Sequence, residues 1–383
     1  MMDFKMVPEA SEMPRINLVM PALTAGSDFG GVSTGIELFL RLVRDLRASC
    51  QIDMRLIVTD YTTQSDPGIF TRRAEKAGET VSPEDISLVR SSSDNITVRK
   101  NDIFFTYNWW TTLNIQKLID QQTVHFGRSP LPLIYLMQDY EPMFHEFSSS
   151  HMLAREALDT VPRLWTILNS SNLKNFVDLL GHRMERSFVF EPVVSGSLRP
   201  YLGMVPASQR EKKILVYGRP TVERNCFPAL VRGLRRWARD YPEYADWEII
   251  SAGTEHPPVP LVGDREIRSV GKLSLDDYAD TLLKCSVGVS LMASPHPSYP
   301  PLEMAHFGLR TITNTYACKD LSSFHGNIVS VRSIAEEPLA AAIAQACASY
   351  GQPVSDEGNA EYLREDSYPF LAQLVAEITA ELA

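Results

Sequence analysis

The sequence predicts an α/β protein built from two Rossmann-like domains. Apolar, strand-like runs alternate with helix-like periodicity, and the alternation occurs twice. A polar, turn-rich stretch near 196–211 separates the two series, and a length of 383 residues suits two domains of ordinary size. Strand–helix alternation implies parallel sheets covered by helices on both faces.

In the first half the strands fall near 15–23, 52–60, 102–107, 131–138, 163–169 and 186–192. The clearest helix between them is 34–48, where Ile36, Phe39, Leu40, Val43 and Leu46 share one face. In the second half the strands fall near 212–218, 247–252, 266–270, 286–292, 310–314 and 327–331. The helix at 226–243 carries Phe227, Leu230, Val231, Leu234, Trp237, Ala238 and Tyr241 on one side. Arg232, Arg235, Arg236 and Arg239 line its other side and read as a solvated face rather than an anion-binding patch. The expected domains are 1–205 and 206–358. A last helix over 359–383, with Leu371, Leu374, Val375, Ile378 and Leu382 roughly on one side, should pack back toward the first domain.

The bulk composition excludes several classes. The chain is 44% apolar and 22% charged, which is globular, and a net charge of -10 argues against general nucleic-acid binding. Its five cysteines are scattered without metal or redox spacing, so a reducing cytoplasm is the simplest compartment. Asp3, Lys5, Glu9 and Glu12 precede any apolar run, which argues against a signal peptide. No apolar stretch reaches the ~20 residues that span a bilayer. Peripheral attachment to an inner membrane stays open.

Ser294-Pro295-His296-Pro297-Ser298-Tyr299-Pro300-Pro301-Leu302-Glu303 is the most informative segment. It joins an apolar strand to a short helix. Proline is favoured at the first helical position, and free N–H groups at a helix start suit a phosphate. Glu303, read here in the first turn, can accept hydrogen bonds from a sugar hydroxyl. Together these features suggest a nucleotide-sugar site. Gly218 and Arg219 end the strand that opens the second half, and Arg224 follows. Ligands of doubly wound sheets bind outside the carboxyl ends of strands, where two guanidiniums can clamp a diphosphate.

The first half offers further candidates. Gly26, Gly30, Gly31 and Gly35 surround the first helix start without the dinucleotide-binding spacing, so a phosphate contact and a simple turn fit equally. Asp139 and Glu141 end a strand in Gln138-Asp139-Tyr140-Glu141-Pro142 and fit a sugar contact, a base, a metal pair or helix caps. Tyr107, Trp109 and Trp110 end another strand and fit either a sugar platform or the core. With His145 they are the candidate acceptor contacts. No His/Cys/carboxylate cluster has zinc spacing, and there is no nucleophile elbow or Walker loop.

With these residues in view, the chain resembles the two-domain GT-B glycosyltransferases, most of all the large retaining family that includes mannosyl-, glucosyl- and rhamnosyltransferases (family 4-like). In that family a strand ending Gly-Arg, followed by a second basic residue, holds the donor diphosphate; Gly218, Arg219 and Arg224 match. A strand ending near a glycine matches Gly253. A Gly-x-Leu-Ser segment near the nucleobase matches Gly271 to Ser274, which brings in Lys272 and Leu273. The second glutamate of a Glu-x7-Glu motif, which holds the ribose, matches Glu303, with Ser298 and Tyr299 just before it. The first glutamate falls on Pro295, which points away from glucose- or mannose-type donors. This variant motif, with Gln-Asp-Tyr-Glu-Pro in the first half, looks like bacterial rhamnosyltransferases that use dTDP-rhamnose to build surface polysaccharides.

The resemblance therefore implies a GT-B enzyme with its active site in a cleft between the domains. The second domain would hold the nucleotide sugar, probed by Gly30 and Gly31 from the first, and the first would hold a glycan or lipid-linked glycan acceptor. No metal and no cofactor beyond the donor are expected, because Arg219, Arg224 and helix N-termini neutralise the leaving diphosphate. Asp139 is the first candidate for a base if the reaction inverts, with Glu141 beside it. The rival readings are a non-catalytic sugar-nucleotide-binding protein and a GT-B nucleotide-sugar epimerase.

Overall fold

A computed structural model describes residues 4–24, 30–90, 94–365 and 367–383. Gly26 lies outside them. The chain divides into two compact units, Met1–Phe190 with Tyr368–Ala383, and Glu191–Ser367.

Unit 1 holds the strands β1 (Lys5–Pro8), β2 (Arg15–Met20), β3 (Asp53–Val58), β4 (Ile86–Leu88), β5 (Asn95–Val98), β6 (Asp102–Thr106), β7 (Leu133–Met137), β8 (Leu164–Asn169) and β9 (Arg186–Phe190). Its helices are α1 (Gly31–Arg47), α2 (Gly68–Lys76), α3 (Trp109–Phe126), α4 (Ser149–Asp159) and α5 (Ser171–Leu179). Seven strands form one sheet in the order β4-β3-β2-β6-β7-β8-β9, and every pairing in it is parallel. β1 and β5 form a separate parallel ribbon. Ile16, Leu18 and Met20 alternate along β2 and pack with Ile36, Phe39, Leu40, Val43 and Leu46 of α1.

Unit 2 holds β10 (Glu211–Gly218), β11 (Glu248–Gly253), β12 (Val259–Pro260), β13 (Glu266–Gly271), β14 (Cys285–Val289), β15 (Arg310–Asn314) and β16 (Ile328–Val331). Between them run α6 (Phe227–Asp240), α7 (Leu275–Lys284), α8 (Tyr299–His306) and α9 (Glu336–Ala348). The order is β12-β13-β11-β10-β14-β15-β16, parallel except for the β12–β13 pair. Side chains alternate across a strand, and β10 shows the consequence. Ile214 and Val216 pack with Leu230, Leu234, Ile343 and Leu339 of α6 and α9. Leu215, between them, packs with Leu282, Leu302 and Met304 of α7 and α8. Helices thus cover both faces of this strand.

The boundary at 205/206 falls inside unit 2. Val194 and Leu198 are buried there beside Leu215, and the Val194 N–H donates to the Tyr362 carbonyl at 2.8 Å. The polar stretch near 196–211 is a loop of that unit, so composition marked a turn and not a border. The final helix, α10, spans Leu371–Leu382 instead of starting at 359. Pro369 disfavours helical backbone at Tyr368 before it. Leu371, Leu374, Val375 and Ile378 of α10 lie in the same core as α1. The short strands β1, β4, β5 and β12 have too few residues for a readable period. On α6, Arg236 and Arg239 pair with Asp240, Arg232 with Glu336, and Arg235 donates to the Pro260 carbonyl, which is a solvated face. Among the described residues, no helix is long and apolar enough to cross a membrane.

The amino-terminal edge of the unit 1 sheet carries a buried ionic network. Asp102 is fully buried and accepts two hydrogen bonds from Arg15, both at 2.8 Å. Arg55 donates to Asn17 at 2.7 Å and to the Thr97 carbonyl at 2.9 Å, and burial lowers its pKa to about 10. Removing one partner of a buried pair strands the other charge. Asp102→Ala should therefore cost about 3–5 kcal/mol of stability. Urea unfolding checks this, and a loss below about 1 kcal/mol would show that the network is not needed.

Candidate functional site

Each sheet changes direction of strand order once. In unit 2 the chain moves from β10 to β11 and β13 on one side, then returns to β14 on the other. A crevice opens outside the carboxyl ends at such a switch point, and ligands of open α/β sheets bind there. Gly218 and Gly253 face each other at the ends of β10 and β11. A β-carbon on Gly218 would lie 1.9 Å from Ser251 Oγ, and one on Gly253, with φ of 143°, would lie 2.4 Å from the Gly218 carbonyl oxygen. At Gly253 backbone and conformation both demand glycine, while at Gly218 a side chain would displace Ser251 Oγ. Arg219 follows at once, and its guanidinium makes no hydrogen bond or ion pair among the described residues. Arg224 sits in a short 3-10 turn, Glu223–Asn225. Its carbonyl accepts the Ala293 N–H at 2.7 Å, which ties this turn to the loop after β14.

That loop is buried and held from several sides. The Met292 amide donates to Asn314 Oδ1 at 2.7 Å, and the Met292 carbonyl accepts from Asn314 Nδ2 at 3.1 Å and Lys319 Nζ at 2.9 Å. The His296 N–H donates to Ser294 Oγ, and the Ser298 N–H donates to His296 Nδ1 at 3.0 Å. Ser298 adopts φ of 68°, a left-handed value rare for a residue with a side chain. Pro295 and Pro297 are buried within the loop.

The start of α8 departs from the expected row of free N–H groups. Pro300 and Pro301 have none, and the Ser298 N–H already donates within the loop. What α8 offers an anion is chiefly its dipole. Glu303 is the fifth residue of α8, one turn further in than read from the sequence. Its Oε2 accepts the Tyr278 hydroxyl of α7 at 2.9 Å, while Oε1 has no hydrogen-bond partner among the described residues. Burial raises the carboxyl to about 7. Lys272 and Leu273 follow Gly271, whose φ is 65°, and lead into α7 through the Ser274 cap. Lys272 is exposed.

In unit 1 the switch point lies between β2 and β6. Gly30, with φ of 55°, precedes α1. A β-carbon on Gly31 would lie 2.7 Å from Tyr107 Oη and 2.8 Å from Gln138 Oε1. Gln138 Nε2 also donates to the Gly31 carbonyl at 2.7 Å. The structure therefore brings Gly31, Tyr107 and Gln138 together. Glu141 is buried, accepts the Trp109 N–H at the start of α3 at 2.7 Å, and is raised to about 8 by burial. Asp139 is equally buried and accepts the Tyr140 N–H at 2.8 Å. Trp109 packs with Leu113, Ala154 and Ala157, and its indole N–H donates to His145 Nε2 at 3.1 Å. Trp110 is half-buried and donates to Asp60. Among the described residues, no three His, Cys, Asp or Glu side chains converge as metal ligands would.

Two comparisons agree with this architecture. Residues 15–171 match the WsaF N-terminal domain and residues 212–344 match the WsaF C-terminal domain. Full-length structural likeness extends to a trehalose-phosphate synthase from Burkholderia vietnamiensis (TM-score 0.57, 10% identity, 97% of this chain and 98% of that one). It extends also to the lipopolysaccharide outer core galactosyltransferase WaaB (TM-score 0.55, 12% identity, 96% of this chain and 98% of that one). A sucrose-phosphate synthase from Thermosynechococcus elongatus has TM-score 0.53 at 11% identity, over 96% of this chain and 99% of that one. The chain is a WsaF-type protein of the GT-B glycosyltransferase fold.

Among curated proteins, the O-antigen biosynthesis protein RfbC of Myxococcus xanthus is 32% identical to this WsaF-type chain over 180 residues. That match takes in 47% of this chain and spans only 14% of the relative's length.

Several residues at these sites escaped the sequence reading. Tyr278 stands one turn past the Gly271–Ser274 segment and was not marked by it, Asn314 stands apart from the motifs, and Lys319 lies in a short stretch with no period. Tyr140 Oη, His182 Nε2 (2.8 Å apart) and, through His182 Nδ1, Asp159 (2.6 Å) form a chain across three segments. No spacing in the sequence announces it.

The free Arg219 guanidinium yields one test. Arg219→Ala should weaken binding of a nucleoside diphosphate by about 1.5–3 kcal/mol, the worth of a charge-assisted hydrogen bond. Calorimetry that finds unchanged affinity removes Arg219 from the site. Glu303 and Glu141 yield another. Their ordinary value is 4.5, and in the fold they hold protons up to about 7 and 8. Their contribution to stability is full below 4.5 and is lost as pH rises through 7 and 8. The slope is at most about 1.4 kcal/mol per pH unit for each group. Glu303→Gln should therefore gain on the wild type in melting temperature as pH rises from about 5 to about 8. Parallel curves would show that Glu303 ionises normally.

Proposed function

We propose that this chain is a glycosyltransferase of bacterial surface-polysaccharide synthesis. It takes L-rhamnose from dTDP-rhamnose and places it on a glycan acceptor. The observation that carries this reading is the unit 2 switch point. A free arginine, a second arginine tied to the β14 loop, and a helix bearing Glu303 gather there, in a chain that carries both WsaF domains. The part of RfbC in O-antigen biosynthesis and that of WaaB as a lipopolysaccharide galactosyltransferase favour a polysaccharide product.

In this reading unit 2 binds the nucleotide diphosphate. Arg219 and Arg224 stabilise the charge that grows on the departing diphosphate, which is the largest expected catalytic term. Glu303 accepts a ribose hydroxyl on Oε1 while Tyr278 holds Oε2. A deoxyribose leaves Glu303 the 3′-hydroxyl alone. Pro295 stands where relatives of the resembled family carry a glutamate, so a 6-deoxy sugar with one hydroxyl fewer suits the site. For a retaining outcome, the acceptor oxygen attacks C1 from the face the phosphate leaves. The C1–phosphate bond breaks as the C1–acceptor bond forms, and the acceptor proton passes to the phosphate oxygen. For an inverting outcome a base is needed. Glu141, protonated near neutral pH, is poorly suited to that role, which leaves Asp139.

A donor panel with a rhamnose-containing acceptor tests the assignment. dTDP-rhamnose should give a higher kcat/KM than UDP-glucose or GDP-mannose, and transfer should persist in excess EDTA. Preference for UDP-glucose or GDP-mannose refutes the donor, and activity that returns only with Mn²⁺ or Mg²⁺ refutes metal independence. Turnover of donor to an epimer with no acceptor present would instead establish an epimerase.

A further inference from the structure

Asp60 follows β3 at the carboxyl edge of the unit 1 sheet, and nothing in the sequence marks it. Its φ is 54°, a left-handed conformation that a residue with a side chain adopts only when its neighbours impose it. They do so here from both sides. The Thr59 N–H donates to the Met20 carbonyl at 2.8 Å, at the end of β2. The Tyr61 N–H donates to the Val89 carbonyl at 3.0 Å. Such over-determined strain, held at a strand end, is characteristic of functional sites.

The strained backbone presents the carboxylate to Trp110. The indole Nε1–H donates to Asp60 Oδ2 at 3.3 Å, and the Thr59 hydroxyl, 3.2 Å from both that oxygen and the Met20 carbonyl oxygen, shares its one proton between them. Both protein donors thus engage one carboxylate oxygen. Oδ1 has no hydrogen-bond partner among the described residues, and Asp60 is exposed. Trp110 is half-buried, with the Trp109 ring edge-on at 5.7 Å on one side. Asp60 follows β3 and Trp110 follows β6, and these strands flank β2. The pair therefore stands over the switch point of this sheet, the place where an open α/β sheet binds ligands.

We propose that Asp60 and Trp110 form a binding subsite for a neutral pyranose. The chemistry matches in two parts. A sugar ring carries a face of C–H bonds that packs on an aromatic ring, and indole offers a large, rigid surface at low entropic cost. Its hydroxyls need a fixed acceptor, and Oδ1 is held in place by the two bonds on Oδ2. The same carboxylate repels a uronic acid or a phosphorylated sugar, so the subsite selects by charge as well as by shape. The inference deepens the glycosyl-transfer reading and rests on it, because it names the chemical class of the acceptor's terminal residue.

Tryptophan fluorescence of the full chain, titrated with methyl α-L-rhamnopyranoside and separately with a methyl glucuronoside, tests this. The neutral glycoside should give a saturable change at millimolar concentration, at least tenfold tighter than the uronide. Trp110→Phe should abolish the change. Asp60→Gly, which accepts the left-handed backbone, should weaken binding of the neutral sugar severalfold and erase the discrimination against the uronide. Calorimetry with dTDP on the same variants should match the wild type, since that ligand is assigned to unit 2. A wild type that binds dTDP yet shows no response to the glycoside overturns the subsite, as does a response that survives Trp110→Phe or an equal response to both sugars. A wild type that fails to bind dTDP counts against the proposed donor instead, and the glycoside titration still decides the subsite.

Discussion

The close approach of two backbones at the carboxyl end of unit 2 governs the rest of that site. Gly253 stands against the Gly218 carbonyl, where any side chain would collide. The Gly218 carbonyl then accepts the Thr254 N–H at 2.9 Å, so β10 and β11 end together. Arg219 leaves the sheet where both strands stop, and its guanidinium has no hydrogen-bond partner among the described residues. Arg224 reaches the same region by a different route, through its carbonyl bond to the loop after β14. The diphosphate clamp proposed here would depend on the glycines that place the arginines as well as on the arginines themselves.

The two units share a topology and differ in chemistry. Both sheets are parallel apart from the β12–β13 pair, and in both the strand order reverses beside the first long strand, where open α/β sheets offer a crevice at the carboxyl edge. Around the unit 2 switch point stand Arg219, Arg224, the start of α8 and Glu303, whose carboxyl burial raises to about 7. Around that of unit 1 stand Tyr107, Trp110, Gln138 and acidic side chains. The division suits the polyanionic leaving group and the neutral ring proposed for the two units. The opposite edge of unit 1 has a different task, since Arg15, Arg55 and Asp102 close the sheet with charges paired away from water.

Burial sets the protonation of the carboxyls more than neighbouring charge does. Glu141 keeps its proton despite the helix N-terminus of α3 that donates to it, and Glu303 stays near 7 with Tyr278 bound. A ligand hydroxyl or a diphosphate would alter both the water access and the local field. A ribose hydroxyl donating to Oε1 would favour the carboxylate, so nucleotide binding at Glu303 should be coupled to proton release.

Periodicity determined the central strands, the α1 and α6 faces and the repeated α/β pattern, because a parallel strand buried on both sides must be apolar throughout. Spacing placed Gly218 and Arg219 at a strand's carboxyl end and Glu303 on the helix that follows another strand, while Gly253 came from the family resemblance. The domain border, the true start of α10 and the short edge strands were not legible, as each depends on which distant residues supply partners. The same holds within the sites. Two prolines that read as an inviting helix start in fact remove the donors, and only the fold shows Ser298 already committed to His296. Trp109 and Trp110 are adjacent and alike in sequence. Tertiary structure sends one into a core against Leu113 and Ala157 and turns the other toward Asp60, because a helix points successive side chains about 100° apart. Asp60 itself carried no signal at all, for its conformation is imposed by hydrogen bonds to Met20 and Val89, residues far away in the chain and near only in the sheet.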